Sequence, residues 1–338
     1  MCDYTNFISK FQSINTAKKF SSEKTKKIED DLDGILSELK NDDFTIITTG
    51  SYGREEASEE SDLDLFIFCS NTAIAEELKK KQSEIEAVIN RHISKQVGST
   101  GTFGANAINI FDEILENIGG KNDSNETLTR RMLFLLEGKA LYNKGTFERY
   151  RKSLLKNYVA STTNSNRIDK FLLNDIIRYY RTITTDFQYK VDQDSKAWGL
   201  RNIKLRFSRK ILYFAGILTI AESAKKPESD DKLENISLLL NTPVLERVYE
   251  IAYTYVANNN TILPKLDSIF GHYESFLMNI SNSEKRKELE AIEKKEDRLK
   301  NHLYLELSEC SNDFTKELYE LLDNLYDTQH PIHLSMAF

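Results

Sequence analysis

The sequence predicts an α+β protein in which a small mixed sheet near the N-terminus is followed by an all-helical region. Two observations carry this. Short β-branched and aromatic runs of strand length occur only in the first 150 residues, bounded by turn residues. Beyond that point apolar residues recur at helical spacing, and Leu, Glu, Lys and Ile dominate.

In the first region, residues 5–40 read as helix with a stripe at Ile28, Leu32, Ile35 and Leu39, ended by Asn41 and Asp42. Phe44 to Thr48 (FTIIT) is a buried strand, Gly50-Ser51-Tyr52-Gly53 a turn, and Leu63 to Cys69 (LDLFIFC) a second strand. Thr72 to Ile93 returns to a helical pattern. Residues 97–106 (VGSTGTFGAN) form a glycine-rich loop, Ala107 to Phe111 a third strand, and Thr127 to Glu137 a helix. In the second region, Phe171 to Phe187 and Leu200 to Ala221 are helical by period. Ser281 with Glu284 forms a capping box opening a charged helix over 284–307. The expected domains are 1–150 and 151–338, with the polar stretch Ser161 to Asn166 and the position Thr146 as alternative boundaries.

Composition narrows the function classes. The 338 residues carry 46 Lys and Arg against 53 Asp and Glu, a net charge of −7. An acidic chain is poorly suited to long nucleic acid, whose phosphates call for excess Lys and Arg. Cys2, Cys69 and Cys310 are scattered and odd in number, so neither a disulfide framework nor zinc spacing follows, and a cytoplasmic location is expected. The N-terminus has no apolar leader, and the most apolar stretch, Ile211 to Ala221, is too short to span a bilayer.

The chemistry concentrates in residues 44–68, FTIITTGSYGREEASEESDLDLFIF. A strand ends in Gly50-Ser51, and Asp62-Leu63-Asp64 follows at the start of the next strand. Gly50 lets backbone approach a phosphate closely, Ser51 adds a hydroxyl donor, and a helix starting in residues 52–58 would turn its N–H groups toward an anion. Residues 62 and 64 share a face on a strand. Two carboxylates there make a hard oxygen site suited to Mg²⁺ bridged by substrate phosphates.

Gly50, Ser51, Asp62 and Asp64 resemble the signature of the nucleotidyltransferase superfamily built on the DNA polymerase β-like catalytic fold: a Gly-Ser turn, a spacer, then Asp-x-Asp on the next strand. The wording Gly-Ser-Tyr-Gly-Arg-Glu-Glu, then Ser-Asp-Leu-Asp-Leu, is similar to the PII-uridylyltransferase-like branch. The resemblance implies a catalytic domain over 1–150, a helical substrate-binding domain over 151–338, Asp62 and Asp64 as Mg²⁺ ligands, and an NTP as substrate. It also implies a third carboxylate on a later strand, for which Asp112 is the first candidate and Glu113 the second.

Other candidates are weighed beside it. Arg54 reaches a phosphate or pairs with Glu55 or Glu59. Gly119-Gly120, Asp123, Asn125 and Arg130-Arg131 form a second cleft wall or, more simply, a turn and a capped helix. Residues 195–210 hold six basic and no acidic residues. Arg201 and Lys204 share a helical face there, and Arg178 and Arg181 lie on the preceding helix; these faces are expected to hold triphosphate or an acidic acceptor across from the Asp pair. Trp198 reads as a core residue before a base-stacking platform, and His330-x-x-His333 has a weak metal spacing. Two functions follow. One is Mg²⁺-dependent transfer of a nucleoside monophosphate from an NTP to an acceptor hydroxyl with release of pyrophosphate, the acceptor being a protein or small molecule before RNA. The other is an inactive nucleotide-sensing or protein-binding module on the same fold, favoured to the extent that the third carboxylate is missing.

Overall fold

The computed structural model describes residues 3–39, 43–95, 108–159, 167–192, 197–226 and 228–337. The chain forms two compact units, Thr16–Ala160 and Met1–Asn15 with Ser161–Phe338. Two segments therefore group otherwise than a cut after residue 150 would have them. Helix α1 (Tyr4–Ile8) joins the later helices, and the end of α7 stays with the sheet.

The sheet unit runs α2 (Gln12–Leu36), β1 (Phe44–Thr49), a single helical turn α3 (Gly50–Gly53), β2 (Asp64–Cys69), α4 (Thr72–His92), β3 (Ile108–Ile110), α5 (Phe111–Leu115), α6 (Asn125–Leu136), β4 (Lys139–Tyr142) and α7 (Lys144–Tyr158). Strand order is β3-β2-β1-β4. β1 is antiparallel to both neighbours and β3 parallel to β2, so the sheet is mixed as expected. Strand β4 has no counterpart in the sequence reading. Four residues with Lys at their head give no alternation of their own, and β4 exists by pairing with β1 across a bulge between Ile46 and Ile47.

The alternation of strand side chains builds two cores. Ile46, Leu65, Ile67 and Cys69 join Ile28, Leu32 and Leu36 of α2 and Leu78 and Ile85 of α4. The opposite face is aromatic: Phe68 meets Phe134 of α6 edge to face at 5.1 Å, Phe134 meets Phe147 of α7 at 5.2 Å, and Phe111 stacks on Tyr150 at 4.1 Å. By the period of two, Asp64 lies on this second face at its end. On α6, Arg131 is buried, makes a two-pronged ion pair with Asp123 at 3.1 and 3.0 Å, and donates from Nε to the Tyr158 hydroxyl at 2.6 Å. This last bond ties the end of α7 to the sheet unit. Ser124 caps α6 by accepting from Thr127 N–H at 3.1 Å. The segment 119–131 is thus a turn and a capped helix.

The second unit adds α8 (Lys170–Asp192), α9 (Gly199–Lys204), a π-helical turn (Leu205–Arg209), α10 (Lys210–Ser223), α11 (Ser229–Asn241), α12 (Val244–Tyr253), α13 (Ile262–Ile280), α14 (Ser283–Glu290), a 3₁₀ turn (Lys295–Lys300), α15 (His302–Leu325) and α16 (Pro331–Ala337). Phe7 of the α1 segment packs on Tyr249 and Phe270 at 4.6 and 5.0 Å, while Ser13 and Ile14 N–H groups donate to Glu274 at 2.7 and 2.9 Å. The charged helix expected over 284–307 is two helices and a 3₁₀ turn, and the cap of α14 is Asn282, accepting from Lys285 N–H at 3.0 Å, not Ser281. Among the described residues no helix is long and apolar enough to cross a membrane. The glycine-rich loop 97–106 and the polar stretch 161–166 lie outside the described residues.

Arg131→Met would leave Asp123 buried opposite an apolar side chain. An expected loss of about 3–5 kcal/mol is read by urea denaturation, and Asp123→Asn in the same chain should return part of it because the stranded charge is removed.

Candidate active site

The site is built where β1 gives way to α3. Thr49 is extended, and Gly50 turns left-handed at φ +65. A Cβ on Gly50 would stand 2.3 Å from Asp64 Oδ2, so the Asp64 carboxylate occupies the space a side chain would need. Gly53 closes the turn equally tightly: its Cβ would lie 2.2 Å from the carbonyl oxygen of Glu137, the residue that caps the end of α6. Two glycines three residues apart thus seat the turn between β2 and α6.

Glu137 is the residue that sequence reasoning missed. Its buried carboxylate accepts from the Gly50 N–H at 2.9 Å and from Arg54 Nη1 at 2.5 Å, while Arg54 Nε donates to Glu56 at 2.8 Å. Arg54 is 6% exposed. It was expected at a phosphate, or on the surface with Glu55 or Glu59. It is instead a buried bracket between two other carboxylates, because a guanidinium out of water needs charged partners. The Gly50 N–H is likewise engaged by Glu137, and its missing side chain makes room for the Asp64 carboxylate. The helix expected after the turn is the single turn α3, too short for a useful dipole.

The acidic segment after the turn is neutralised almost throughout. Glu55 pairs with Lys139 at 2.9 Å and Lys18 at 4.0 Å, Glu59 with Lys24 at 3.8 Å, and Glu60 with Lys95 at 3.9 Å. Asp62 is the exception, with no ion-pair partner among the described residues. It stands two residues before Asp64, outside the strand proper; both are half-buried and Leu63 between them is fully buried, which continues the strand alternation. Thr49 is paired directly with Asp64 in the β1–β2 ladder, so its side chain lies on the same face. Its hydroxyl is buried with no hydrogen-bond partner among the described residues. Ser51 beside it is half-buried. Burial, followed by the negative charges of Glu59 and Asp62, raises the Tyr52 phenol above its ordinary range and keeps it neutral. Half-buried carboxylates, an unmatched hydroxyl and no competing cation at Asp62 form a hard oxygen set that fits Mg²⁺ brought with phosphates.

Asp112, expected as the third carboxylate, falls at the other end of the sheet. β3 runs parallel to β2 with Ile110 beside Cys69, so Asp112 and Glu113 lie past the end of β2 remote from Asp64, about 16 Å of strand away. Both are exposed in the first turn of α5, and Glu113 acts electrostatically on Cys69. The sequence holds no Asp or Glu between Glu86 and Asp112, so β3 and the segment before it offer no substitute. Among the described residues no group of three or more His, Cys, Asp or Glu is placed to hold a metal. This includes His330 and His333: His330 stacks on Tyr326 at 4.6 Å and His333 Nε2 lies 3.1 Å from the Tyr326 carbonyl. In the helical unit, Arg201 is exposed and Lys204 half-buried on α9, Arg178 faces Asp175 at 3.8 Å, and Trp198 is a core residue against Tyr304 at 5.1 Å.

Strand β1 leads through the Gly50-Ser51 turn to β2, which begins at Asp64 with Asp62 two residues before it. Residues 29–113 match the nucleotidyltransferase domain family, a stretch that runs from α2 through the turn and both aspartates to α5; the chain carries a nucleotidyltransferase domain. No curated protein matches the chain.

Gly50→Ala should displace Asp64 and strain the turn, since the new methyl meets both a carboxylate and an unfavourable φ. An expected loss of about 1–3 kcal/mol in chemical denaturation, with chemical-shift or crystallographic movement of Asp64, checks it; an Asp64 that stays in place would count against this packing.

Proposed function

We propose that the protein transfers a nucleoside monophosphate from an NTP to an acceptor hydroxyl and releases pyrophosphate. The observation that supports this most is Asp62: a carboxylate without a counter-ion among the described residues, two residues before Asp64, in a segment where every neighbouring glutamate has one. Asp62 and Asp64 would hold Mg²⁺, which when bound would supply charge neutralisation for the triphosphate and the pyrophosphate. Ser51 donates its hydroxyl to a phosphate oxygen, and Gly50 lets the Asp64 carboxylate sit against the turn beside it. Glu137, through Gly50 N–H and Arg54, keeps the turn in position and touches no reacting atom. The new bond joins the acceptor oxygen to the α-phosphorus as the bond to pyrophosphate breaks. The net charge of −7 favours a protein or small-molecule acceptor over RNA. Arg201 and Lys204 are assigned to an anionic group of substrate or acceptor. A cytoplasmic setting accords with the free thiols of Cys69 and Cys310.

A second reading, nucleotide sensing or partner binding without turnover, is favoured by one observation: the acid-free stretch before Asp112 supplies no third carboxylate from β3 or the segment before it to join Asp62 and Asp64. Asp62→Asn with Asp64→Asn separates the readings. Wild type is expected to turn over NTP with Mg²⁺ and to gain thermal stability with Mg²⁺ and NTP, and the double variant to lose both while melting no lower in buffer. Turnover by the double variant at the wild-type rate would overturn the metal assignment. A ligand-dependent melting shift without turnover of any nucleotide would establish the sensing reading instead.

A further inference from the structure

Within the helical unit, α9 continues through the π-helical turn Leu205–Arg209 into α10. A π turn re-aims the side chains that follow it, and such turns concentrate at functional sites. Here it sets Arg206 and Lys210 against α15. Arg206 donates from Nε to Asn202 Oδ1 at 2.9 Å, and from Nη1 to Ser311 Oγ at 2.9 Å and Asn312 Oδ1 at 3.4 Å. Lys210 Nζ donates to Thr315 Oγ1. All these partners are neutral, and among the described residues neither cation has a carboxylate within ion-pair distance.

The neighbourhood makes this unusual. On the same helix α15, Glu317 and Glu320 both hold Lys265 of α13, at 2.8 and 2.5 Å. An acidic chain has carboxylates to spare, yet two half-buried cations share a stretch of helix without one. Burial, and then the Arg206 charge, push the Lys210 ammonium down to about 8, which reflects the cost of leaving it uncompensated. Ser311 and Thr315 are one turn apart on α15, with about 6 Å between their Cβ atoms, so the two cations anchored on them stand on adjacent turns, where one tetrahedral dianion can take a hydrogen bond from each. Further along α10, Tyr213 stacks on Tyr180 of α8 at 4.4 Å and 12°. Arg181, exposed beside Tyr180, adds a third cation without an ion-pair partner among the described residues.

We propose that Arg206 and Lys210 form a binding site for a phosphate dianion, free or carried on a small molecule. The site lies wholly in the helical unit, uses none of the residues assigned to nucleotidyl transfer, and does not rest on that reading.

The test is a titration of the full chain with inorganic phosphate at constant ionic strength set with NaCl, followed by calorimetry and thermal melting. Wild type is expected to bind saturably. Arg206→Gln and Lys210→Met should each weaken binding by about tenfold or more, the loss of one charge-assisted hydrogen bond. Lys316→Met, which removes an exposed charge from the same α15, should leave binding unchanged. In phosphate-free buffer Lys210→Met should melt no lower than wild type, because it removes an unmatched cation. Asp62→Asn with Asp64→Asn should keep the phosphate response, so failure at the aspartates and failure here are distinguishable. A nucleoside monophosphate that binds more tightly than phosphate, with the gain lost in Tyr213→Leu, assigns the phosphate to a nucleotide; equal affinities assign it to free phosphate. A wild-type response to phosphate no greater than to chloride, an unaltered response in Arg206→Gln and Lys210→Met, or a destabilised Lys210→Met that still binds phosphate would overturn the proposal.

Discussion

Asp64 Oδ2 sits 2.3 Å from where a side chain on Gly50 would begin. Because a carboxylate fills that space, residue 50 must lack a Cβ and must accept a left-handed φ, and glycine alone meets both needs at little cost. The turn that follows is held from its other side by Gly53 against the Glu137 carbonyl. The spacing Gly50, Gly53 and Asp64 therefore records packing. Glu137 completes the frame: one carboxylate oxygen takes the Gly50 N–H and the other takes Arg54. A lone buried carboxylate would be costly, and the Arg54 guanidinium, which Glu137 shares with Glu56, offsets part of that cost.

Charge is distributed with the same economy around the site. Lysines from α2, β4 and the segment just after α4 meet the glutamates of the segment 55–60. What is left over is Asp62 and the unmatched hydroxyl of Thr49, both next to Asp64. An acidic segment whose charge is cancelled except at one point directs a cation to that point, since the paired glutamates no longer compete for it. The local electrostatics thus distinguish Asp62 from neighbours of the same type that the sequence makes look alike.

The helical unit repeats the theme with the opposite sign. Its core is aromatic and aliphatic, with Phe207 stacked on Phe276 at 4.7 Å and packed on Phe314 at 5.2 Å. Other cations of the unit are met by acids, Lys265 of α13 by Glu317 and Glu320 of α15, and the buried Arg286 by Glu290 one turn on. Arg206 and Lys210 depart from that pattern, and they do so where the helix itself departs from regular geometry. Coincident breaks in charge pairing and backbone regularity are the kind of local inconsistency that marks function before stability.

By itself the sequence determined the local parts: β1, the Gly50-Ser51 turn, β2 headed by Asp64, the long helices, and the class of domain. Each of these rests on periodicity or on residues within a dozen positions of one another, where hydrophobic alternation and turn chemistry act directly. The tertiary structure alone decided the rest. Strand β4 exists through its partner, and Asp112 went to the far end of the sheet because β3 pairs in parallel with the last residues of β2. Arg54 was claimed by Glu137 from 83 residues away, a distance in sequence over which no pattern signals contact. Register and long-range ion pairing are set by which faces must be buried together, and that is a property of the assembled core and not of any segment read alone.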